Sequence, residues 1–284
     1  MSAVGFLGLG QIGAPMARKL LGRPGGLVVH DVRPGAVDEF VERGATSATT
    51  PAEVARQAQV VSVMVRDDAQ VEEVVCGPDG LLAGAAEGTV LAIHSTIDES
   101  TAPRLAELAA LRGVAVVDAP VSGGAVGAEQ GDLAVMVGGT EEAFDRCREV
   151  FEPWAGLVLH AGGVGAGTRC KLARNLLHFV AFTAAAEAQR LAEAAGLDLR
   201  ELGQVVRHTD AITGGPGAIM LRGDTAQLST SDGLYPIFSN VRDLGEKDLS
   251  LALRLGERLG VELPLGERAL HDLADGLGVA REER

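Results

Sequence analysis

Val4-Gly5-Phe6-Leu7-Gly8-Leu9-Gly10-Gln11-Ile12-Gly13-Ala14-Pro15-Met16-Ala17-Arg18-Lys19-Leu20 decides the fold. A short apolar run enters a G-x-G-x-x-G loop at Gly8, Gly10 and Gly13, and an amphipathic stretch leaves it. Pro15 stands near the start of that stretch, where proline costs a helix least. Strand, glycine loop and helix in this order predict a dinucleotide-binding βαβ unit. The first glycine permits a tight turn, the second lets backbone approach a pyrophosphate, and the third lets helix pack on strand. The positive end of the following helix then faces the phosphates, so Gly8, Gly10, Gln11, Ile12 and Gly13 are the expected cofactor-binding residues here.

Outward from this loop, short β-branched runs alternate with helical stretches. Expected strands are Val4–Leu9, Leu27–His30, Val60–Val65, Val90–His94, Val114–Asp118, Leu133–Val137 and a short Val158–His160; expected helices include Ile12–Leu21, Val37–Arg43, Pro51–Gln57 and Thr101–Arg112. Such alternation predicts a mostly parallel, doubly wound sheet. Ala119 to Gly131 reads as loop, so the last strands can pair antiparallel. A breaker-rich hinge follows at Ala161–Gly167, and β-branched runs nearly vanish beyond it. Thr168 to Ala195 reads as one helix of roughly 28 residues, about 42 Å long. That is enough to bridge two domains or two subunits. A loop at Thr213–Pro216 and helices near Glu246–Leu259 and Leu265–Gly276 complete the chain. The expectation is an α/β Rossmann-type doubly wound N-terminal domain, residues 1–163, followed by an all-α C-terminal domain, residues 164–284, for substrate and dimerisation.

Asp31 ends the second strand, 23 positions after Gly8. A carboxylate there can accept both hydroxyls of an adenosine ribose, which favours NAD. Arg33, two residues on, can instead neutralise a 2′-phosphate and keeps NADP open.

Bulk composition narrows the remaining classes. Of 284 residues 46% are apolar, an ordinary globular content, while aromatics are only 3%. There are 39 acidic and 25 basic side chains, a net charge of −14, which argues against nucleic acid and anionic membrane as partners. Cys76, Cys147 and Cys170 form no C-x-x-C pair, and the six histidines show no ligand spacing, so neither a disulfide framework nor a metal site is expected. No apolar run is long enough for a signal peptide or a membrane span. A cytoplasmic enzyme fits best.

Five further motifs follow the glycine loop. They are MVRDDAQVEEVV from Met64, HST at His94–Thr96, DAPVSGGAVGAEQGDLAVMVGG at Asp118–Gly139, GVGAGTRCKLARN at Gly163–Asn175, and GEKDLSLAL at Gly245–Leu253. With GFLGLGQIGAPMARKL they cover nearly the full length in order, and the chain resembles the β-hydroxyacid dehydrogenase family, which includes 3-hydroxyisobutyrate dehydrogenase and tartronate semialdehyde reductase. The resemblance implies an NAD(P)-dependent oxidoreductase interconverting a short 3-hydroxy acid and its semialdehyde. It assigns Ser122, Gly123 and Gly124 to the turn that receives the acid's carboxylate, Lys171 to proton transfer, and Asn175, one helical turn on, to orienting the lysine or substrate. It places Val65 and Arg66, Thr96 and Lys247 beside the cofactor. Thr96 can also cap the following helix, and Lys247 can pair with Asp248 on one helix face.

An apolar, closed site would lower the lysine's pKa, and a bound carboxylate would oppose that. The stretch Ile212–Tyr235 departs from the family pattern. Ile219, Met220, Leu221, Tyr235 and Phe238 can line a pocket there, with core packing the commoner role for any one. Two rivals remain: an imine reductase-like enzyme, whose relatives replace the lysine, and a catalytically silent cofactor-binding module, whose relatives have lost it. The long helix adds the expectation of a homodimer or homotetramer.

Overall fold

The computed structural model describes residues 2–280. Strands β1 (Ala3–Leu7), β2 (Leu27–His30), β3 (Thr46–Ser47), β4 (Ala58–Val63), β5 (Val90–Ile93), β6 (Ala115–Asp118), β7 (Val121–Ser122), β8 (Leu133–Gly138) and β9 (Ala155–Gly162) form, among the described residues, a single nine-stranded sheet. Helices α1 (Gly13–Arg18), α2 (Asp38–Glu42), α3 (Pro51–Gln57), α4 (Asp68–Cys76), α5 (Leu81–Gly84), α6 (Thr101–Ala110), α7 (Gly124–Gln130) and α8 (Glu141–Phe151) connect the strands. Then come α9 (Ala166–Ala194), α10 (Leu199–Thr213), α11 (Tyr235–Leu259) and α12 (Pro264–Leu277). The doubly wound sheet followed by an all-helical segment is the fold expected from the sequence. Cα packing divides the chain into a sheet-centred unit up to Arg174 and a helical unit from Asn175 onward.

In the first unit the strand order is β3-β2-β1-β4-β5-β6-β8-β7, with β9 beside β8. Parallel pairing runs from β3 through β6, and the order reverses between β1 and β4. A ligand crevice belongs at the carboxyl ends of strands flanking such a reversal. Strands β1, β2, β4, β5 and β6 are rich in Val, Ile and Leu because both faces are covered, whereas β3, Thr46–Ser47, is an exposed polar edge. Phe6, Met16, Phe40, Phe151 and Trp154 fill one face. Leu7, Val61, Leu81, Leu91 and Leu105 fill the other.

Several expectations need correction. Ala119–Gly131 is not loop: Val121 and Ser122 pair with β8, and Gly124–Gln130 is helical, a turn that an Ala/Gly-rich string hides from periodicity. Strand β8 does run antiparallel to β6 and β7, but β9 returns parallel to it. Strand β1 ends at Leu7 rather than Leu9, because Gly8 already takes a left-handed φ of 87°. Helix α1 is shorter than Ile12–Leu21, and β9 is longer than Val158–His160. Thr96 caps no helix, since α6 begins at Thr101.

In the second unit α9 spans 29 residues, close to expectation. Helix α11 starts at Tyr235, eleven residues before Glu246, with Pro236 in its first turn. Helices α4, α5, α8 and α10 are additional to the helices named from the sequence. Glu187 on α9 is buried, and its carboxylate accepts the Leu265 and Gly266 N–H groups that open α12. Phe238 packs with Leu277 and Val279, and Tyr235 lies against them, so core packing holds both. Ile219, Met220 and Leu221 are exposed. Among the described residues no helix is long and apolar enough to cross a membrane.

Candidate functional site

Loops at the carboxyl ends of β1, β2, β4, β5 and β6 carry most of the singled-out residues. Gly8 is fixed by contact: a Cβ there would stand 2.1 Å from the Met64 carbonyl oxygen in the loop after β4. Gly13 is fixed likewise, its Cβ position falling 2.0 Å from the Gly8 carbonyl oxygen. Gly10 differs, with nothing within 4 Å of its Cβ position. Two glycines therefore close the turn and the middle one leaves its outer side open, as backbone approach to a pyrophosphate requires. No side chain caps α1 at Ile12, so its first N–H groups are not taken by a side-chain cap. The donor set and the open cradle fit a dinucleotide.

Asp31 and Arg33 are brought together with this loop. The Leu9 N–H donates to Asp31 Oδ2 at 2.7 Å. Arg33 donates its backbone N–H and Nε to Oδ1 at 2.8 and 3.0 Å, and Nη2 to Oδ2 at 3.1 Å and to the Leu9 carbonyl at 2.8 Å. Burial alone would raise the Asp31 carboxyl, but the bonds from Arg33 and Leu9 outweigh it and hold it below the usual carboxylate range.

Val65 meets a residue that sequence reasoning passed over. Ser95 Oγ donates to the Val65 carbonyl at 2.7 Å and accepts its N–H at 3.1 Å, pinning the loop after β4. Ser95 is the buried middle residue of the HST motif, and Thr96 beside it is exposed. The Arg66 N–H donates to Gln70 Oε1, and its exposed guanidinium stands 3.7 Å from Asp67. Beneath these loops His94 is wholly buried between Ser62 Oγ (3.0 Å) and the Ala119 carbonyl (2.8 Å), edge-on to Phe151 and Trp154. Burial lowers its pKa to about 4, so it is a neutral structural linker at physiological pH.

After β6 the chain turns through Ser122, half-buried and paired with Ala134, into Gly123 (φ 130°) and Gly124 (φ 64°). A Cβ at Gly123 would stand 2.9 Å from Leu133, whereas nothing lies within 4 Å at Gly124. The turn thus needs glycine for its backbone, and its N–H groups open α7. Lys171 lies in the second turn of α9 with only 8% of its surface exposed. Burial, with the Arg174 charge adding, holds its ammonium below the ordinary lysine range. Among the described residues no hydrogen bond or ion pair engages its Nζ. Asn175 is half-buried, four residues on in the same helix.

A second unanticipated residue is Asp118, with no exposed surface, whose carboxylate accepts the Gly165 and Thr168 N–H groups at 2.6 Å each. Lys247, on α11, is exposed and pairs with Asp248 at 3.1 Å. Among the described residues no cluster of His, Cys, Asp or Glu could hold a metal. The three cysteines are unpaired, and burial pushes the Cys147 thiol up to about 12.

Comparison with known proteins agrees with this geometry. The family described as the NAD binding domain of 6-phosphogluconate dehydrogenase matches residues 3–163. The one described as NAD-binding of NADP-dependent 3-hydroxyisobutyrate dehydrogenase matches residues 165–277. An oxidoreductase of Mycobacterium tuberculosis is 57% identical over 276 residues, covering 97% of this chain and 93% of that protein. The 3-hydroxyisobutyrate dehydrogenase of Pseudomonas aeruginosa is 39% identical over 284 residues, covering 97% and 94%. The crystal structure of an oxidoreductase from Mycobacterium avium superposes with a TM-score of 0.93 at 53% identity, covering 98% of this chain and 99% of that one.

Proposed function

The chain belongs to the β-hydroxyacid dehydrogenase family, as an NAD(P)-dependent oxidoreductase, and from that premise we propose that it interconverts a short 3-hydroxy acid, 3-hydroxyisobutyrate or a close analogue, and the corresponding semialdehyde. The observation that carries the reading is Lys171: a largely buried amine with a lowered pKa and no described partner. Bound NAD(P) supplies the hydride acceptor or donor. In the oxidation direction Lys171 Nζ takes the hydroxyl proton, and in reduction it returns that proton to the carbonyl oxygen. Ser122 Oγ and the N–H groups at Gly123 and Gly124 bind the carboxylate, and Asn175 orients lysine or substrate. Gly8, Gly10, Gln11, Ile12 and Gly13 hold the pyrophosphate; Asp31 and Arg33 meet the adenosine ribose. Val65, Arg66, Thr96 and Lys247 complete the cofactor contacts, the last on the family resemblance alone.

The division into a dinucleotide domain, residues 1–163, and a helical domain, residues 164–284, belongs to the same reading. So does a homodimer or homotetramer, supported by α10, which buries none of its residues. Three unpaired cysteines favour a reducing cytosol.

Steady-state assays of a panel of 3-hydroxy acids, with NAD and NADP in parallel, test the substrate class. Lys171→Ala is expected to lower turnover by about 10³-fold or more while NAD affinity stays nearly constant. Undiminished turnover in that variant would remove Lys171 from the mechanism. The buried lysine counts against an imine reductase-like or silent protein, and turnover of cyclic imines in preference to every acid in the panel would reverse that judgement.

A further inference from the structure

We propose that Asp118 is a positioning residue of the reaction: its carboxylate fixes the first turn of α9, and through it Lys171, against the strand that leads into the Ser122 turn. The proposal rests on the assignment of Lys171 as proton carrier. Asp118 ends β6, where its backbone lies between Ile93 of β5 and Gly138 of β8. Its two carboxylate oxygens are divided between two donors, Oδ1 taking the Gly165 N–H and Oδ2 the Thr168 N–H. Thr168 lies in the opening turn of α9 and Gly165 immediately precedes that turn, so neither N–H has an acceptor within the helix. A buried negative charge is tolerated there because both bonds are charge-assisted and the helix presents its positive end.

The surrounding backbone removes slack. At Gly167 a Cβ would fall 2.2 Å from the Met136 carbonyl oxygen and 2.6 Å from that of Asp118. At Gly138 it would fall 2.3 Å from Asp118 Oδ1. Helix start, β6 and β8 are thus in contact through glycines, and the carboxylate is the bolt between them. Lys171 follows Thr168 by three residues, on the same helical face, so movement of Thr168 is carried to the amine. On the other side Asp118 leads through Ala119, whose N–H donates to the Ile93 carbonyl at 2.7 Å, and Pro120, whose carbonyl accepts the Met136 N–H at 3.1 Å, into β7 and Ser122. One side chain therefore sets the lysine helix in register with the carboxylate turn. Asparagine cannot substitute, because its amide offers one acceptor oxygen and turns an N–H₂ toward the second donor.

The test uses the full-length protein as wild type, Asp118→Asn, Gly167→Ala and Lys171→Ala. Activity is read with NAD and the panel's fastest 3-hydroxy acid, protiated and deuterated at the carbinol carbon. Independently of activity, trinitrobenzenesulfonate labelling of Lys171 is followed by peptide mass spectrometry, with Lys19 and Lys247, the other lysines of the chain, as internal controls. For Asp118→Asn, kcat is expected to fall on the order of 100-fold, as misplacement of a reacting group by about 1 Å does. The KM for NAD should hold, the deuterium isotope effect on kcat should rise, and Lys171 should label faster while Lys19 and Lys247 do not. Gly167→Ala keeps the carboxylate but pushes the helix start off Met136, and should give the same pattern.

A folded Asp118→Asn protein with unchanged isotope effect and unchanged Lys171 labelling overturns the proposal, even if kcat drops, because a smaller active fraction alone does that. If Asp118→Asn does not fold, Gly167→Ala decides by the same readouts. Wild-type turnover in Lys171→Ala would instead defeat the catalytic assignment, while the labelling arm still reports whether Asp118 holds the lysine.

Discussion

Up to Arg174, apolar side chains fill both faces of a sheet, from Phe6 and Trp154 on one to Leu7 and Leu105 on the other. Beyond it, the described residues gather a small cluster around Phe238, Leu277 and Val279, with Ala192, Leu263 and Ala274 also buried. Meanwhile Leu176, Phe179 and Phe182 of α9 and Val205, Val206 and Ile212 of α10 lie exposed. The sheet-centred unit supplies its own core; the helical unit has amphipathic helices whose apolar faces are not spent within the described chain. Burial of each such side chain is worth about 1.5–3 kcal/mol. The difference teaches that the first unit carries its own core, whereas the second leaves apolar side chains of α9 and α10 exposed, the faces that the proposed homo-oligomer would cover.

The strongest attempt to break this contrast puts charge on the exposed face. Val205 and Ile212 are seven residues apart on α10 and share a side. Sedimentation of the wild type is expected to give a dimer or tetramer, and Val205→Glu with Ile212→Glu a monomer. A monomeric wild type, or a variant that assembles and melts unchanged, would mean that the apolar face of α10 is not an interface.

An effect of on the order of 3 kcal/mol sharpens the other half of the contrast. His94 is neutral in the folded core, with a pKa of about 4 against the ordinary value near 6.5. As pH falls below 6.5 the unfolded chain takes the proton first. The stability this group contributes is therefore complete above pH 6.5 and is lost progressively down to about 4. Urea unfolding at steps across that window should show the loss, and His94→Gln should flatten it. Amide exchange should quicken in β4 and β5, which His94 ties together through Ser62. A flat wild-type profile would mean that the imidazole is hydrated or paired in the folded state.

The same contrast explains what could be read from the sequence. The glycine loop and the parallel strands were legible because each carries a local signature, spacing or β-branched runs, whereas Lys171 is singled out only by the family resemblance of its Gly163–Asn175 frame. Asp118 and Ser95 were not, because their partners lie far along the chain: Thr168 is 50 residues from Asp118, and Val65 is 30 residues from Ser95. Helix α7 was hidden because Gly124-Gly127-type spacing resembles loop, and the start of α11 because Tyr235-Pro236-Ile237 looks like a breaker although proline suits a first turn. The Asp31–Arg33 interaction was half legible. The sequence points Asp31 at the ribose hydroxyls and Arg33 at a 2′-phosphate, but their bonding to each other has no sequence signature.

That bonding sets the smallest effect and reverses a simple expectation. A carboxylate offers roughly four lone-pair positions. On Asp31 they are met by the Leu9 N–H and by three donors of Arg33. A ribose can reach the carboxylate only if the exposed Arg33 guanidinium gives up its place, and a 2′-phosphate would draw that guanidinium away. Arg33→Ala is therefore expected to tighten NAD and weaken NADP, each by about tenfold, the size of one net hydrogen bond. Asp31→Ala should move preference toward NADP, since Arg33 is released and the repelling charge removed. Isothermal titration of both cofactors against the two variants decides. Weakened NAD binding in Arg33→Ala would mean that Arg33 contributes to holding NAD instead of competing for Asp31, and that the ribose site is set by residues other than the carboxylate's free lone pairs.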